Sequence, residues 1–452
     1  MRRILRVAPV VLTLSVAACE SETPTRPPIL DAATDTGSAV DAGVDTGSDT
    51  GTDAGNPLDT GVDAQTPTDA PDASAPVDRP DAGPPTGEFF CNLPGTDVAG
   101  VTVPEGFCVR RFARVSTARV LAFAPNGDVF VSSPATGTPG GAPIGRGAIV
   151  VLPDDNHDGV ADAVTDFLGD IDSVHGLLFD GDGLLYTLSD GVYRMPYASG
   201  QRVGTGTPAT HTRLAQLDDS VRWTHTLARG TDGNLYVSMG QYDTATCPGG
   251  QRAGSILRVG AGMPATGEVW VTGFRNPMYL RCREWGACYA AELSGDGWDS
   301  IGGREKLIEM RRGDNYGYPC CVDHNVPVPP SSMSCADVAI SVQTYTLHDT
   351  PFGFDWAPDS WPAPYAGSFF VGLHGWVGSW TNTGVQWAPV DGTTHRPSRP
   401  TEFFLTGFGR GGAIPGRVTD LAFAPDGRMF FADDQDGSVY WVAPRTLRSP
   451  AR

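Results

Sequence analysis

One hairpin phrase recurs along the chain, and it limits what the chain can fold into more than any other feature. Leu121-Ala-Phe-Ala-Pro-Asn-Gly-Asp-Val-Phe-Val returns as Leu421-Ala-Phe-Ala-Pro-Asp-Gly-Arg-Met-Phe-Phe. Variants stand at Leu177-Leu-Phe-Asp-Gly-Asp-Gly-Leu-Leu-Tyr and Leu227-Ala-Arg-Gly-Thr-Asp-Gly-Asn-Leu-Tyr-Val, with weaker copies near Leu280 and Phe352. Each is a short apolar strand, a Gly-containing turn and a second apolar strand, which reads as a β-hairpin. A third strand often follows, as in Ala148-Ile-Val-Val-Leu, Gly191-Val-Tyr-Arg, Ser255-Ile-Leu-Arg-Val and Ser438-Val-Tyr-Trp-Val. Units of about 50–75 residues, each one antiparallel sheet, stack as the blades of a β-propeller. Six copies predict an all-β, six-bladed propeller over residues 89–446, with 447–452 as a tail. An irregular sandwich would not place one phrase along the whole body.

What precedes the body is different. Met1-Arg2-Arg3 and Arg6 form a basic start, and Val7 to Val16 is an apolar run too short to span a bilayer. It ends in Val16-Ala17-Ala18-Cys19, which resembles the lipobox of bacterial lipoproteins. That resemblance implies a signal peptide over 1–18, acylation of Cys19 and anchoring in the bacterial cell envelope, with Glu20 leaning toward the outer membrane; an ordinary signal peptide cut nearby is the alternative. From 19 to 88 runs a tether rich in Asp, Ala, Gly, Thr and Pro. Residues 20–88 hold fifteen acidic and two basic residues and almost nothing apolar to bury, so the segment is expected to be disordered. The chain's net charge of −20 argues against a nucleic-acid partner. With Cys19 set aside, eight cysteines remain in an exported chain, which predicts up to four disulfides. Local pairs expected are Cys91–Cys108, Cys282–Cys288 and one of Cys320 or Cys321 with Cys335.

The repeat register also points to a site. Two positions before the repeat leucine stand Arg119, His175 and His225, and near the same point in later units lie Arg275-Asn276, His348 and Arg417. Residues there rim one mouth of a propeller, so a funnel lined by Arg and His suggests an anionic ligand or cofactor. Inter-blade hydrogen bonding is the other use such side chains could have.

Val103-Pro-Glu-Gly-Phe-Cys-Val, His175-Gly-Leu, Arg222-Trp-Thr-His-Thr-Leu, Thr272-Gly-Phe-Arg-Asn-Pro, Asn315-Tyr-Gly-Tyr-Pro, Gly372-Leu-His-Gly and Gly416-Arg-Val follow one another in order. From about Val101 to Ala443 this resembles the glucose/sorbosone dehydrogenase family, soluble propellers that use pyrroloquinoline quinone. The resemblance implies oxidation of an aldose or related small-molecule sugar at its anomeric carbon, with hydride passing to the quinone. It implies a histidine base, an Arg-Asn pair beside the quinone matched by Arg275 and Asn276, an arginine near the quinone carboxylates matched by Arg417, and a calcium ion. The calcium loop is expected at Ser294, Gly295 and Asp296. His225 is expected as the base, with Arg222 and His175 beside the cofactor.

The chain departs from the family in three places. Arg222 stands where the family keeps its base and His225 where it keeps an arginine, so the two types are exchanged. Gln386 stands near the place of a quinone-contacting lysine. Arg304-Glu305-Lys306-Leu307 replaces Asp-Glu-Leu. A separate acidic loop, Asp154, Asn156, Asp158 and Asp162, follows calcium-loop spacing without the closing glutamate, and reads either as a second calcium site or as a plain turn. Two further functions stay open: a catalytically inactive propeller that binds sugar or protein in the envelope, and a calcium-dependent lactonase-like hydrolase. The resemblance leaves the electron acceptor unnamed.

Overall fold

The computed structural model describes residues 87–449, except 96, 136–145, 219–220, 243–246, 248–251, 331, 377–379 and 381. The expected signal peptide, Cys19 and the expected tether as far as residue 86 lie outside the described residues, while residues 87 and 88 pair with Ser449. Six four-stranded antiparallel sheets make the body. Blade 1 is Leu121–Phe123, Val129–Ser133, Gly147–Leu152 and Thr165–Ile171, and blade 2 is Leu177–Asp180, Gly183–Leu188, Gly191–Pro196 and Thr212–Gln216. Blade 3 is Leu227–Arg229, Leu235–Met239, Ser255–Val259 and Glu268–Thr272, and blade 4 is Asn276–Cys282, Cys288–Leu293, Arg304–Glu309 and Gln343–Thr346. Blade 5 is Pro351–Trp356, Phe369–Leu373, Gly384–Ala388 and Glu402–Leu405. Blade 6 takes three strands from the end of the chain, Val418–Phe423, Met429–Asp433 and Ser438–Pro444, and its outermost strand, Phe107–Arg114, from the start. The ring is thereby closed by pairing the two ends of the body. The repeated hairpin is the innermost pair of strands in every blade.

The strands fold as sheets because both faces are apolar. Val129–Ser133, Gly183–Leu188, Phe369–Leu373 and Met429–Asp433 are buried along nearly their full length. Each second strand lies between two blade-to-blade interfaces, so an uninterrupted apolar run suits it. Polar side chains on the innermost strands stitch neighbouring blades. Asp420 of blade 6 accepts from the Leu121 N–H of blade 1 at 2.8 Å. Asp355 of blade 5 accepts from the Phe423 N–H of blade 6 at 3.0 Å, and Arg281 of blade 4 donates to the Phe354 carbonyl at 2.6 Å.

Four disulfides are present: Cys91–Cys108, Cys282–Cys288, Cys321–Cys335 and Cys247–Cys320. The three expected local pairs form. The fourth joins the loop after Met239 of blade 3 to a segment inserted between the third and fourth strands of blade 4. Residues 447–449, expected as a tail, pair back onto the start of the body: Phe89 bridges Arg448, and Ser449 donates its N–H to the Glu88 carbonyl at 2.9 Å. Among the described residues no helix is long and apolar enough to cross a membrane.

Candidate functional site

In each blade the first strand runs away from one end of the ring, so the residues just before it gather at that mouth. Loops joining second and third strands open at the same end. The two sets bring one residue or more from every blade to the axis. Arg119 of blade 1 pairs with Asp434 of blade 6 at 2.9 Å and lies 5.8 Å over the Trp223 ring of blade 3. Trp223 meets His175 of blade 2 edge-on at 5.5 Å. His175 lies 5.8 Å from Tyr279 of blade 4, whose hydroxyl donates across the axis to the Arg119 carbonyl at 3.3 Å. His374, at the end of the second strand of blade 5, is 3.2 Å from Asp434. Arg417 of blade 6 places Nη2 against the His374 imidazole, 2.6 Å from Nδ1 and 2.7 Å from Nε2.

This cluster carries two unfilled needs. Nε and Nη1 of Arg417 are buried and meet no hydrogen-bond partner, and neither does Nε2 of His175. His175 Nδ1 faces the His225 carbonyl at 3.3 Å, so Nδ1 carries the proton and Nε2 keeps a lone pair. Burial, reinforced by Arg119, pushes the His175 pKa down to about 3, which keeps the ring neutral. Burial and Arg417 hold His374 down to about 3 as well. Burial alone would raise Asp434, but Arg119, His374 and Arg417 outweigh it and hold the carboxylate well below its usual range. Burial and Arg119 lower Arg417 to about 10, leaving it charged at neutral pH. The mouth is therefore cationic, with Asp434 the carboxylate at its centre. Trp380 closes this side, 5.9 Å from the Arg417 guanidinium.

Arg275 and Asn276 sit beside the cluster at the head of blade 4. Thr224 donates to Asn276 Oδ1 at 3.3 Å, which ties the pair to the Trp223 turn. Gly240 is required here: a Cβ on it would stand 2.3 Å from Asn276 Oδ1. Beneath the pair is a buried charge network. Glu292 accepts from the Arg275 N–H at 3.1 Å and lies 4.0 Å from the ammonium of Lys306, which donates to the Tyr316 carbonyl at 3.0 Å. Glu305 takes the Ser294 and His348 N–H groups at 2.8 and 3.1 Å, and burial lifts its pKa to about 8. Arg222 donates to the Gln241 carbonyl at 2.9 Å and lies over Tyr242, while Gln241 takes its own N–H to the Arg275 carbonyl. Arg222 and Arg275 thus share Gln241 as a spacer.

The structure does not bring every expected residue to this place. His225, two residues before the first strand of blade 3, is as fully buried as His175; its Nδ1 donates to the Ser238 carbonyl at 2.9 Å, its Nε2 likewise meets no partner, and Asp218 and Arg252 are charges near it. Its Nδ1 faces Ser238 on the second strand of blade 3, whereas Trp223, two residues earlier, lies against Arg119 and His175. Gln386 lies in the third strand of blade 5 and accepts from Thr401 at 2.6 Å, on the outer side of the blade. In the expected calcium loop, Asp296 pairs with Arg275, the Gly295 carbonyl accepts from the Trp298 N–H at 3.1 Å, and the Ser294 hydroxyl donates to the Arg304 carbonyl at 2.5 Å. These donors do not form a cation cage as they stand, and among the described residues no three His, Cys, Asp or Glu side chains converge as a metal group. The loop of Asp154, Asn156, Asp158 and Asp162 is at the opposite end of blade 1. Asp162 there accepts from the Asp155 N–H and the Asn156 amide at 2.6 Å each, and Trp441 of blade 6 docks on the Gly159 carbonyl at 2.8 Å. The loop seats blade 6 on blade 1 through Trp441, which leaves both the calcium and the plain-turn readings of its carboxylates open.

Five residues of the cluster were not singled out from the sequence: Trp223, Tyr279, His374, Trp380 and Asp434. His374 sits inside the Gly-Leu-His-Gly motif, which was its signal. Asp434 and Trp380 lie in second-to-third strand loops, which the repeat register does not mark.

No protein-family model matches the sequence, and no curated protein matches it. Solved structures do. A Trichoderma reesei carbohydrate-active enzyme of family AA12, in a calcium structure, superposes with a TM-score of 0.61 at 17% identity, covering 77% of this chain and 98% of that one. The PQQ domain of a pyranose dehydrogenase from Coprinopsis cinerea, in its holo form, gives 0.59 at 16%, covering 76% and 96%. The soluble aldose sugar dehydrogenase of Escherichia coli, in its apo form, gives 0.52 at 16%, covering 75% and 99%. The chain shares the fold of these three structures over almost their whole length.

Proposed function

We propose that the chain oxidises a small-molecule sugar at its anomeric carbon with pyrroloquinoline quinone as cofactor. The observation that carries this reading is the set of buried, unpartnered polar atoms at the axis, Arg417 Nε and Nη1 and His175 Nε2, inside a cationic mouth. Such atoms are costly to bury unless a ligand completes them. A planar polycarboxylate fits them: Arg417 and Arg119 supply charge-assisted donors for carboxylates, and Arg275 with Asn276 supplies donors on the adjoining side. The shared fold with a pyranose dehydrogenase PQQ domain and an aldose sugar dehydrogenase supports the same class of substrate and cofactor.

When bound, the quinone supplies a two-electron acceptor for the hydrogen on the sugar carbon. The chain's own part is proton handling and orientation. His175 offers a neutral imidazole whose Nε2 lone pair is free while Nδ1 is held by a backbone carbonyl, the arrangement a general base requires. His225 has the same free Nε2, so we place the base at His175 on its position: its ring meets Trp223 and Tyr279 beside Arg119 at the axis, whereas the charges near His225 are Asp218 and Arg252. Arginine stays protonated in proteins, so Arg222 orients and does not take the proton. Calcium is part of this reading as a partner of the quinone; the Ser294–Asp296 loop would offer it carbonyls and the Asp296 carboxylate, which is paired with Arg275. Cys19 tethers the enzyme by lipid to the bacterial envelope, on the outer membrane.

The test is reconstitution of the purified body with calcium, the quinone, an aldose and a dye acceptor. Turnover that His175→Asn lowers by about 10²-fold or more, with quinone affinity retained, supports the assignment. A quinone spectrum that never changes on adding any aldose favours the second reading, a sugar- or protein-binding module, which the arginine at position 222 favours. A lactonase-like site needs a carboxylate-rich axis, and here Asp434 is already spent on Arg119 and His374.

A further inference from the structure

We propose that occupancy of the Arg417 anion site is coupled to protonation of His374: a carboxylate ligand draws the guanidinium off the imidazole, and His374 takes up one proton from solvent and holds it between Asp434 and the ligand.

Three observations place the coupling here. Arg417 presses one nitrogen on the imidazole edge, at 2.6 and 2.7 Å, while its other two nitrogens are buried with nothing to bind. The guanidinium is thus held where its charge opposes protonation of the ring, and it leaves most of its own donors unused. A carboxylate at the mouth offers those donors a bidentate partner, which the imidazole cannot. Second, His374 already has a carboxylate on its other side: Asp434 lies 3.2 and 3.3 Å from Nε2 and stays ionised. Third, the ring is clamped. Phe352 stacks on it at 4.2 Å with an interplanar angle of 15°, so the imidazole stays in line with Asp434 when Arg417 moves.

The charges facing His374 are few. From blade 6 come Arg417 and Asp434, and from blade 1 comes Arg119, 2.9 Å from Asp434. Asp433, also in blade 6, is pushed up to about 7 by burial and faces the Arg417 backbone. Asp349, on the loop leading into blade 5, is turned to Asn382 at 2.7 Å. In the ligand-free chain burial keeps the imidazole neutral, and Arg417 and Arg119 add to it against Asp434. A bound carboxylate cancels the Arg417 charge at the point where it acts on the ring. Affinity for the anion must then fall as pH rises across the range in which His374 is charged only in the complex, by up to about tenfold per pH unit for one linked proton. The inference rests on the proposed function only in taking Arg417 as the anion-facing group.

The experiment is isothermal titration calorimetry of the full chain between pH 5 and 7.5. Two probes are used, benzene-1,3,5-tricarboxylate and the quinone, each in buffers of different ionisation enthalpy so that the heat reports protons taken up. The expected result is uptake of between half a proton and one proton per ligand near pH 5.5 for both probes. Uptake is lost in His374→Asn and kept in Asp433→Asn. Uptake that survives His374→Asn and disappears in Asp433→Asn overturns the proposal and assigns the proton to Asp433. Binding of both probes without uptake overturns it too, and so does no binding of either. If the tricarboxylate binds with uptake and the quinone does not bind, the coupling stands and the sugar-oxidation reading fails. If the quinone turns over sugar but binds without uptake, the reverse holds.

Discussion

Replacing Asp434 by Asn tests the electrostatics of the mouth directly. The carboxylate is 7% exposed and pairs with Arg119, itself 11% exposed, and with His374. Asparagine keeps the shape and one acceptor but leaves Arg119 and Arg417 facing each other without a counter-charge. Removing one partner of a buried pair costs about 3–5 kcal/mol. A body of about 360 residues has an unfolding entropy near 0.75 kcal/mol per kelvin, so the melting temperature should fall by about 4–7 °C. The same change vacates the counter-ion position. An added polycarboxylate should therefore stabilise Asp434→Asn more than the parent, in which ligand and Asp434 compete for the same cations. At ten times the dissociation constant, binding returns about 1.4 kcal/mol, or about 2 °C. Calorimetric melting with rising benzene-1,3,5-tricarboxylate at fixed ionic strength measures both effects. A variant that melts within a degree of the parent, or that the anion stabilises no more than the parent, would falsify the picture of a cationic mouth neutralised by one carboxylate.

Three further outcomes are expected. Arg275→Ala should weaken quinone binding by about 1.5–3 kcal/mol, since a charge-assisted contact is lost, and equilibrium titration of the quinone reads it. His225→Asn should leave sugar turnover within a few-fold of the parent but change stability in acid. Burial holds the folded pKa of His225 at about 4 against an ordinary 6.5, so the unfolded chain binds the extra proton between those values and stability falls as pH drops through them. The variant should lose one proton's share of that slope, about 1.4 kcal/mol per pH unit, in denaturant melts at pH 4.5, 5.5 and 6.5. Cys19→Ser should move the protein from membrane to soluble fractions in a bacterial host, and an unchanged distribution counts against the lipid anchor.

The blades were legible because hairpin chemistry is local. The Asn-Gly and Asp-Gly turns at 126–127 and 426–427, flanked by apolar runs, specify a strand pair without help from distant residues. Closure was not legible. Nothing in Phe107–Arg114 marks it as the outer strand of a sheet whose other three strands begin at Val418, since that pairing is set by the whole ring. The site divides the same way. Register alone places Arg119, His175, Arg275 and Arg417 at one mouth. It does not fix where a side chain points within its turn, which is why His225 reads like His175 in sequence and faces a different seam. Asp434 and Trp380 carry no repeat mark because loops between second and third strands differ from blade to blade.

The exchange of arginine and histidine around position 222 has a physical meaning once the seams are distinguished. A base has to sit at the axis with a lone pair free, and the place the family resemblance assigns to it is filled by Arg222, a permanent cation held by the Gln241 carbonyl. On the proposed reading the imidazole three residues along, at His225, is not the base: its Nδ1 faces Ser238, and Asp218 and Arg252 rather than the axial cluster are the charges near it. The blade before it supplies what is missing. His175 reaches the Trp223 and Tyr279 rings with Nε2 unpartnered, and the carbonyl that fixes its tautomer is that of His225 itself. On the proposed reading His225 contributes its backbone carbonyl, which faces His175 Nδ1 at 3.3 Å. On this view the two histidines are one device. A change at His225 that keeps the ring's hydrogen bond to Ser238 should spare catalysis, whereas one that shifts the turn, such as His225→Pro, should damage it through His175.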